Sequence, residues 1–287
     1  MHDEIENISL RDFAQKLWRR RWLIVVITTL ATTAAVATAF LLPEKFQASV
    51  VLSAVTSETD VGKLGSAGAL LSQFGGIAGI SGLGGAGSSK KVEAVATLQS
   101  SSLTEAFIRD KNLLPILFPD RWNVEKKKWE GDDPDRVPTI WKGEMKFRKD
   151  IRSVTEDKKS GLVTMTITWS DPRQAAEWAN DLVSRTNAAL RHRAIEESER
   201  NLAYLNEQTS KTSVVELQRA IYGLTETEIK KIMIANGSEE YAFRVIDPAR
   251  VPEERTSPKR GLIAGSGLVL GFLAAAFLSF LLPRRAP

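Results

Sequence analysis

The chain has 287 residues, with 39 Lys and Arg against 35 Asp and Glu, a net charge of +4, and no cysteine. The lack of cysteine excludes thiol catalysis and thiolate metal sites. Because the excess of basic residues lies mostly beside two apolar stretches, the charge indicates contact with membrane lipid and not with nucleic acid.

Those two apolar stretches predict a membrane protein. Residues 23–42 and 261–282 are free of charge over about 20 residues each, the length that a helix needs to cross the hydrocarbon core of a bilayer. The predicted organisation in chain order is an N-terminal amphipathic segment (1–22), a first transmembrane helix (23–42), a central domain (43–260), a second transmembrane helix (261–282) and a tail (283–287).

Arginines lie next to each span at the end that is closer to a chain terminus. Arg19, Arg20 and Arg21 precede the first, and Arg284 and Arg285 follow the second. Positively charged flanks remain in the cytoplasm, so both termini are predicted to be cytoplasmic and the central domain to lie outside. A cleaved signal peptide is the alternative for the first span, but the apolar stretch is longer than such peptides carry.

The first strand of the central domain is predicted at residues 45–55, which are rich in β-branched and aromatic side chains. The following segment, residues 62–89, holds ten of the 19 glycines. It lacks the spacing of a phosphate-binding loop and is too polar for a third span. Two interpretations remain: a flexible loop, or a surface of small residues against which another helix packs.

The sequence pattern in the middle of the domain predicts helices followed by a β-hairpin. Residues 91–111 have helical periodicity and predict one or two amphipathic helices broken near Ser100. Residues 112–143 contain several prolines and glycines and predict an irregular surface region. Residues 147–154 and 162–169 predict a β-hairpin with one buried side.

A pair of long helices is predicted next. Asp171-Pro172 supplies an N-cap and a first helical residue, and the helical period continues to about Gln208. A capping box at Ser213 and Glu216 restarts the helix, which ends at Gly237. The two helices predict a projecting hairpin over about 172–237.

The last predicted strand covers residues 241–247 and precedes the second span. Pairing it with the first strand gives an α/β base of about four strands with helices over one face. The predicted fold class is therefore an α+β membrane protein, in which two transmembrane helices flank an α/β base domain with a projecting helical hairpin.

No catalytic, cofactor-binding or metal-binding residue is predicted. The two histidines, His2 and His192, are far apart in the sequence, and no nucleophile elbow is present. The glutamates near residue 197 lie beside arginines and indicate a solvated or inter-protomer helix face. We therefore expect a protein that is not an enzyme and needs no cofactor.

Three segments resemble the Wzz family of chain length determinants, also called polysaccharide co-polymerases: ISLRDFAQKLWRRRW before the first span, DPRQAAEWANDLVSRTNAAL, and EYAFRVIDPARVPEERTSPKRGLIAGSGLVLGF. The last is the most specific, and its motif residues are Pro252, Ser257, Pro258, Lys259, Gly265, Gly267 and Gly271. The prolines favour a stiff connector, and the glycines allow another helix to approach closely.

The resemblance implies a ring-shaped homo-oligomer in the bacterial inner membrane, with its main domain in the periplasm. It implies that the ring acts with a separate polymerase on O-antigen, capsular polysaccharide or exopolysaccharide in lipopolysaccharide biosynthesis and related pathways. Some relatives carry a tyrosine kinase after the second span. Only residues 283–287 follow it here, so a kinase is expected to be a separate polypeptide.

Two alternative functions remain open. The chain could be an inner-membrane component of a polysaccharide export complex that contacts other export machinery or the polysaccharide itself, or the activator of a separate tyrosine kinase. Both alternatives share the two spans and the periplasmic domain, so the sequence does not separate them from chain-length regulation.

Overall fold

A computed structural model describes residues 21–55, 86–129 and 137–281. The N-terminal residues 1–20, most of the glycine-rich segment and the C-terminal tail lie outside the described residues. The chain divides into two compact units, with boundaries between Phe46 and Gln47 and between Pro252 and Glu253.

The described elements form a mixed, helix-rich α+β protein, in agreement with the predicted class. They are α1 (Arg21–Leu41), β1 (Phe46–Ala54), α2 (Ala86–Gln99), α3 (Ser101–Asp110), α4 (Leu114–Leu117), β2 (Trp122–Asn123), β3 (Lys128–Trp129), α5 (Ile140–Lys146), β4 (Arg152–Glu156), β5 (Val163–Trp169), α6 (Pro172–Lys211), α7 (Val215–Gly237), β6 (Phe243–Asp247) and α8 (Arg260–Leu281).

The first unit contains α1 and α8, which pack against each other. Both helices are long and apolar enough to cross a membrane, and only 11% of each apolar window is buried. A core helix of a soluble protein would be mostly buried, whereas these helices expose large side chains such as Leu30 and Phe272. The predicted boundaries of the two spans, and of the segments that precede, separate and follow them, remain predictions.

The second unit is built on a four-stranded sheet in the order β4-β5-β1-β6. The predicted hairpin exists as antiparallel β4 and β5, with Val154 opposite Met165. The predicted pairing of the first and last strands is also confirmed, since β1 and β6 are antiparallel neighbours with Leu52 opposite Val245.

Helices cover one face of this sheet. On β1, the buried residues Ala48, Val50 and Leu52 alternate with Ser49, which is exposed. The covered face meets an aromatic cluster in which the rings of Phe107 and Trp178 have centroids 6.3 Å apart. The core therefore lies between this face and the helices, as the strand periodicity predicts.

A buried arginine joins β4 to the helices. Arg152 donates to the carbonyl oxygens of Leu98 (2.9 Å) and Gln99 (2.9 Å) and to the hydroxyl of Thr104 (2.8 Å). Burial lowers the pKa of Arg152, and the nearby carboxylate of Glu144 opposes that shift. The guanidinium satisfies carbonyl groups at the end of α2 that the helix leaves unpaired.

Two asparagines on α6 hold the chain around and after β6. The side-chain oxygen of Asn187 accepts hydrogen bonds from the backbone of Ala242 and Phe243, and its nitrogen donates to the Phe243 carbonyl. One heptad earlier, Asn180 makes the same kind of paired contact with the backbone of Ala249. Because each amide satisfies a donor and an acceptor, the edge strand is fixed to α6.

Two predictions for the middle of the domain are wrong. Residues 112–143 are not simply an irregular surface, since Leu113 and Leu117 belong to the core and β2 pairs with β3. Residues 147–151 form a π-helical turn instead of a strand. Phe147 and Ile151 are four residues apart, so a helical turn buries both, and the strand begins only at Arg152.

The helix boundaries confirm one predicted cap and contradict another. The carboxylate of Asp171 accepts from the backbone of Arg173 (2.8 Å) and Gln174 (3.4 Å), as expected of an N-cap. The predicted capping box at Ser213 does not form, because Val214 is the N-cap of α7 and has no side-chain cap. The chain stays extended for one residue longer than the motif predicts.

Candidate functional site

The close approach of α1 and α8 depends on two of the predicted glycines. A side-chain carbon added at Gly271 would lie 2.7 Å from the Ala31 Cβ and 3.3 Å from the Thr28 Cα. A carbon added at Gly267 would overlap the Cβ of Ala35. Small residues therefore face one another along this seam, which lets the two backbones pack closely.

The third predicted glycine of this helix does not take part in that contact. A side-chain carbon at Gly265 would meet nothing within 4 Å, and the same is true of Gly261. Both glycines are exposed on α8. The helix partner of Gly267 and Gly271 is thus α1 of the same chain, whereas Gly265 lies away from that contact.

The connector before α8 is joined to the residues that follow α1. The Lys45 backbone donates to the carbonyl of Ser257 (2.9 Å) and accepts from the amide of Thr256 (2.9 Å). Pro258 is buried, and its peptide bond with Ser257 is cis. These contacts tie the end of α1 to the start of α8 by backbone pairing.

Charged side chains add to this junction. The Glu44 carboxylate accepts hydrogen bonds from Arg255 (2.7 Å) and Arg260 (2.9 Å). The Arg260 guanidinium also lies 4.2 Å from the centre of the Phe40 ring. A cation over an aromatic face is favourable and suits the boundary between an apolar helix and water.

A shallow pocket of about 450 Å³ adjoins the junction. Its lining residues are Glu44, Phe46, Glu253, Glu254 and Arg255. Within residues 21–55, 86–129 and 137–281, no group of three or more His, Asp or Glu side chains could hold a metal ion. The pocket therefore presents mixed charge and one aromatic side chain, without a metal centre.

The remaining predicted residues are placed as follows. Pro252 is half-buried, and Lys259 is exposed, with its carbonyl accepting from the amides of Leu262 and Ile263 at the start of α8. Arg21 is the first residue of α1. Arg19, Arg20, Arg284, Arg285 and residues 62–85 lie outside the described residues, so their predicted roles stay predictions.

Sequence reasoning missed Glu44 as a partner of Arg255 and Arg260. The feature of the sequence that could have indicated this pairing is an acidic residue three positions after α1. Its partners lie more than 200 residues away, so the pairing is recognisable only after the two helices have been placed together.

Comparison with known proteins shows what this chain is similar to. The model of the Wzz chain length determinant proteins matches residues 6–111. A full-length bacterial polysaccharide co-polymerase of known structure is 11% identical, with 95% of this chain and 96% of that chain covered and a TM-score of 0.43.

A fragment of the Salmonella Typhimurium polysaccharide co-polymerase WzzB is also 11% identical, with 75% of this chain and all of that chain covered and a TM-score of 0.32. No curated protein matches the chain. The resemblance to the Wzz chain length determinants predicted from the sequence is therefore confirmed, and the family match covers residues 6–111.

Proposed function

We propose that this chain regulates the length of a bacterial surface polysaccharide as a membrane-anchored co-polymerase, acting with a separate polymerase. The observation that carries the proposal is the match of residues 6–111 to the chain length determinant family. That match includes the first span and the beginning of the central domain. The polymer is O-antigen, capsular polysaccharide or exopolysaccharide.

The proposed location is the inner membrane, with α1 and α8 as spans and the central domain in the periplasm. Their exposed apolar surfaces support membrane insertion. Within α1, the hydroxyls of Thr29, Thr32 and Thr33 each donate to a backbone carbonyl one turn earlier, at 2.7 to 2.8 Å. These polar groups therefore need no water, which suits a lipid environment.

The protein acts as a homo-oligomer and without catalysis of its own in this proposal. The closely packed α1 and α8 form one anchor, and the junction around Glu44 and Ser257 joins that anchor to the connector. Regulation then works through contacts with neighbouring copies and with the polymerase. The motif residues Pro252, Ser257, Pro258, Lys259, Gly265, Gly267 and Gly271 are proposed to position the spans for those contacts.

Deletion of the gene, followed by gel electrophoresis of the surface polysaccharide, tests the proposal. We expect polymer to remain at the surface with an altered length distribution, and the original distribution to return when the gene is restored. Loss of all surface polymer would favour the export component instead. An unchanged amount and an unchanged length distribution would contradict both functions.

A further inference from the structure

We propose that Asn180 of α6 sets the path of the connector that leads into α8, and through that path the length to which the polymer grows. The inference rests on the proposed function and adds to it a residue that positions the connector. It is carried by the contacts of the chain that follows β6.

The first part of the connector is held at a single point. Residues 248–255 link the end of β6 to the backbone pairing at Thr256. Among the residues that the structure describes, the backbone of this part forms hydrogen bonds only at Ala249. Ala249 is also its only buried residue, with 7% of its surface exposed. The direction in which the chain leaves the sheet is therefore fixed at Ala249.

Both hydrogen bonds at this point come from one side chain. The Asn180 side-chain nitrogen donates to the Ala249 carbonyl (2.9 Å), and the side-chain oxygen accepts from the Ala249 amide (3.0 Å). A primary amide carries a donor and an acceptor, so it holds the backbone as a neighbouring strand would. Pro248 and Pro252 stiffen the chain on either side of Ala249. Loss of the Asn180 contact would therefore release a stiff connector at its base.

The strand itself is held without Asn180. β6 pairs with β1 in antiparallel fashion, and the buried side chain of Asn187 binds the backbone of Ala242 and Phe243. Asn180, by contrast, is exposed. If its side chain is removed, water can bond the two freed backbone groups, so the cost to folding is small. The buried asparagine serves the fold, whereas the exposed one holds the chain beyond the sheet.

α6 connects this point to the helical hairpin. Asn180 and Asn187 are seven residues apart, so they face the same side of the helix. The same continuous helix also packs against α7. A displacement of α6 therefore moves Ala249 and the start of the connector with it. The coupling needs only a rigid helix and one amide.

The path of the connector matters for length regulation because the proposed function uses contacts of both the spans and the central domain. The connector is one of the two chain segments that join them. A connector released at Ala249 lets the domain take more than one orientation above its anchor. Contacts with the polymerase then vary, which predicts a broader length distribution with polymer still present at the surface.

Two variants remove this contact. Asn180→Ala lacks both hydrogen bonds, and Asn180→Asp keeps the shape but has no donor for the Ala249 carbonyl at neutral pH. In the purified full-length protein, we expect the Ala249 amide to exchange hydrogen roughly tenfold faster in Asn180→Ala than in wild type, with an unchanged oligomer size. In cells that carry either variant in place of the native gene, we expect a broader length distribution of the surface polysaccharide on gels.

Thr139→Ala is the control for a general loss of stability. The Thr139 hydroxyl caps α5 by accepting from the Lys142 amide (3.3 Å), so this variant loses a helix cap and leaves the connector intact. It should lower the melting temperature and keep the wild-type length distribution. Equal broadening in Thr139→Ala and Asn180→Ala would show an effect of stability alone and overturn the proposal.

Two further outcomes would also overturn it. One is an unchanged exchange rate at Ala249, and the other is a wild-type length distribution in both Asn180 variants although deletion of the gene alters that distribution. If deletion itself leaves the length unchanged, the proposed function fails, and the inference fails with it.

Discussion

Individual glycines of α8 have different roles although they look alike in the sequence. Gly267 and Gly271 face α1, where an added side-chain carbon would collide with Ala35 or Ala31. Gly265 lies only two residues before Gly267, yet it has open space around it. The direction in which each residue points from the helix decides this difference.

Gly267→Leu should weaken the packing of α1 on α8, because Ala35 leaves no space for a side chain. Overpacking of this kind costs about 1–3 kcal/mol. We expect a lower melting temperature of the detergent-solubilised protein than for wild type. Gly265→Leu is the matched control and should melt like wild type. Equal melting temperatures of the two variants would show that the seam is not a close contact.

The α6–α7 hairpin is an element held by few buried residues and by polar contacts. The Lys231 ammonium lies 2.9 Å from the Glu228 carboxylate, whose side chain is mostly buried. The hydrogen bond from Lys231, which lies on the same helix, lowers the pKa of Glu228; burial opposes this effect, and the nearby Ser198 and Asn201 on α6 add to the lowering. The folded hairpin therefore favours the charged form of Glu228.

Acid should loosen this hairpin. Because the folded pKa of Glu228 lies below the ordinary value of 4.5, its contribution to stability is complete above pH 4.5 and is lost as the pH falls through the folded value. We expect hydrogen exchange of α7 amides to become faster in that range. Glu228→Gln should reduce the pH dependence, whereas Glu199→Gln on the exposed side of α6 should retain it. The same acid response in all three proteins would contradict this role.

Across the whole molecule, the sequence predicts that the central domain and the termini lie on opposite sides of the membrane. The residues that follow α1 and those that precede α8 pair through Lys45 and Ser257. The ends of both helices that connect to the central domain are therefore on the same side. This pairing supports two crossings with the domain on a single side, and the arginine flanks indicate which side that is.

Labelling of introduced cysteines measures this orientation. Lys158→Cys lies in the exposed turn between β4 and β5, and Asn7→Cys lies in the N-terminal segment. With a membrane-impermeant maleimide, we expect Lys158→Cys to react in cells whose outer membrane alone is permeabilised. Asn7→Cys should react only after lysis of the inner membrane. The reverse pattern would place the central domain in the cytoplasm.

Much of the secondary structure could be predicted because local patterns determine it. The alternation of threonine with apolar residues in β5 and the cap at Asp171 needed no tertiary information. The prediction for the segment around Phe147 was wrong because FRKDIRSV fits either a strand or a helical turn. Only the packing of Phe147 and Ile151 in the core selects the turn. The prediction of a cap at Ser213 was wrong because the chain remains extended there.

The sequence alone determined the two apolar helices, the order of most strands and helices, and the resemblance to the chain length determinants. These features depend on length, periodicity and local motifs, which are properties of neighbouring residues. Tertiary structure decided which glycines meet α1, the pairing of Glu44 with Arg255 and Arg260, and which apolar side chains of α7 remain exposed. Such features depend on groups far apart in the chain and on the surfaces that remain uncovered once the helices have packed.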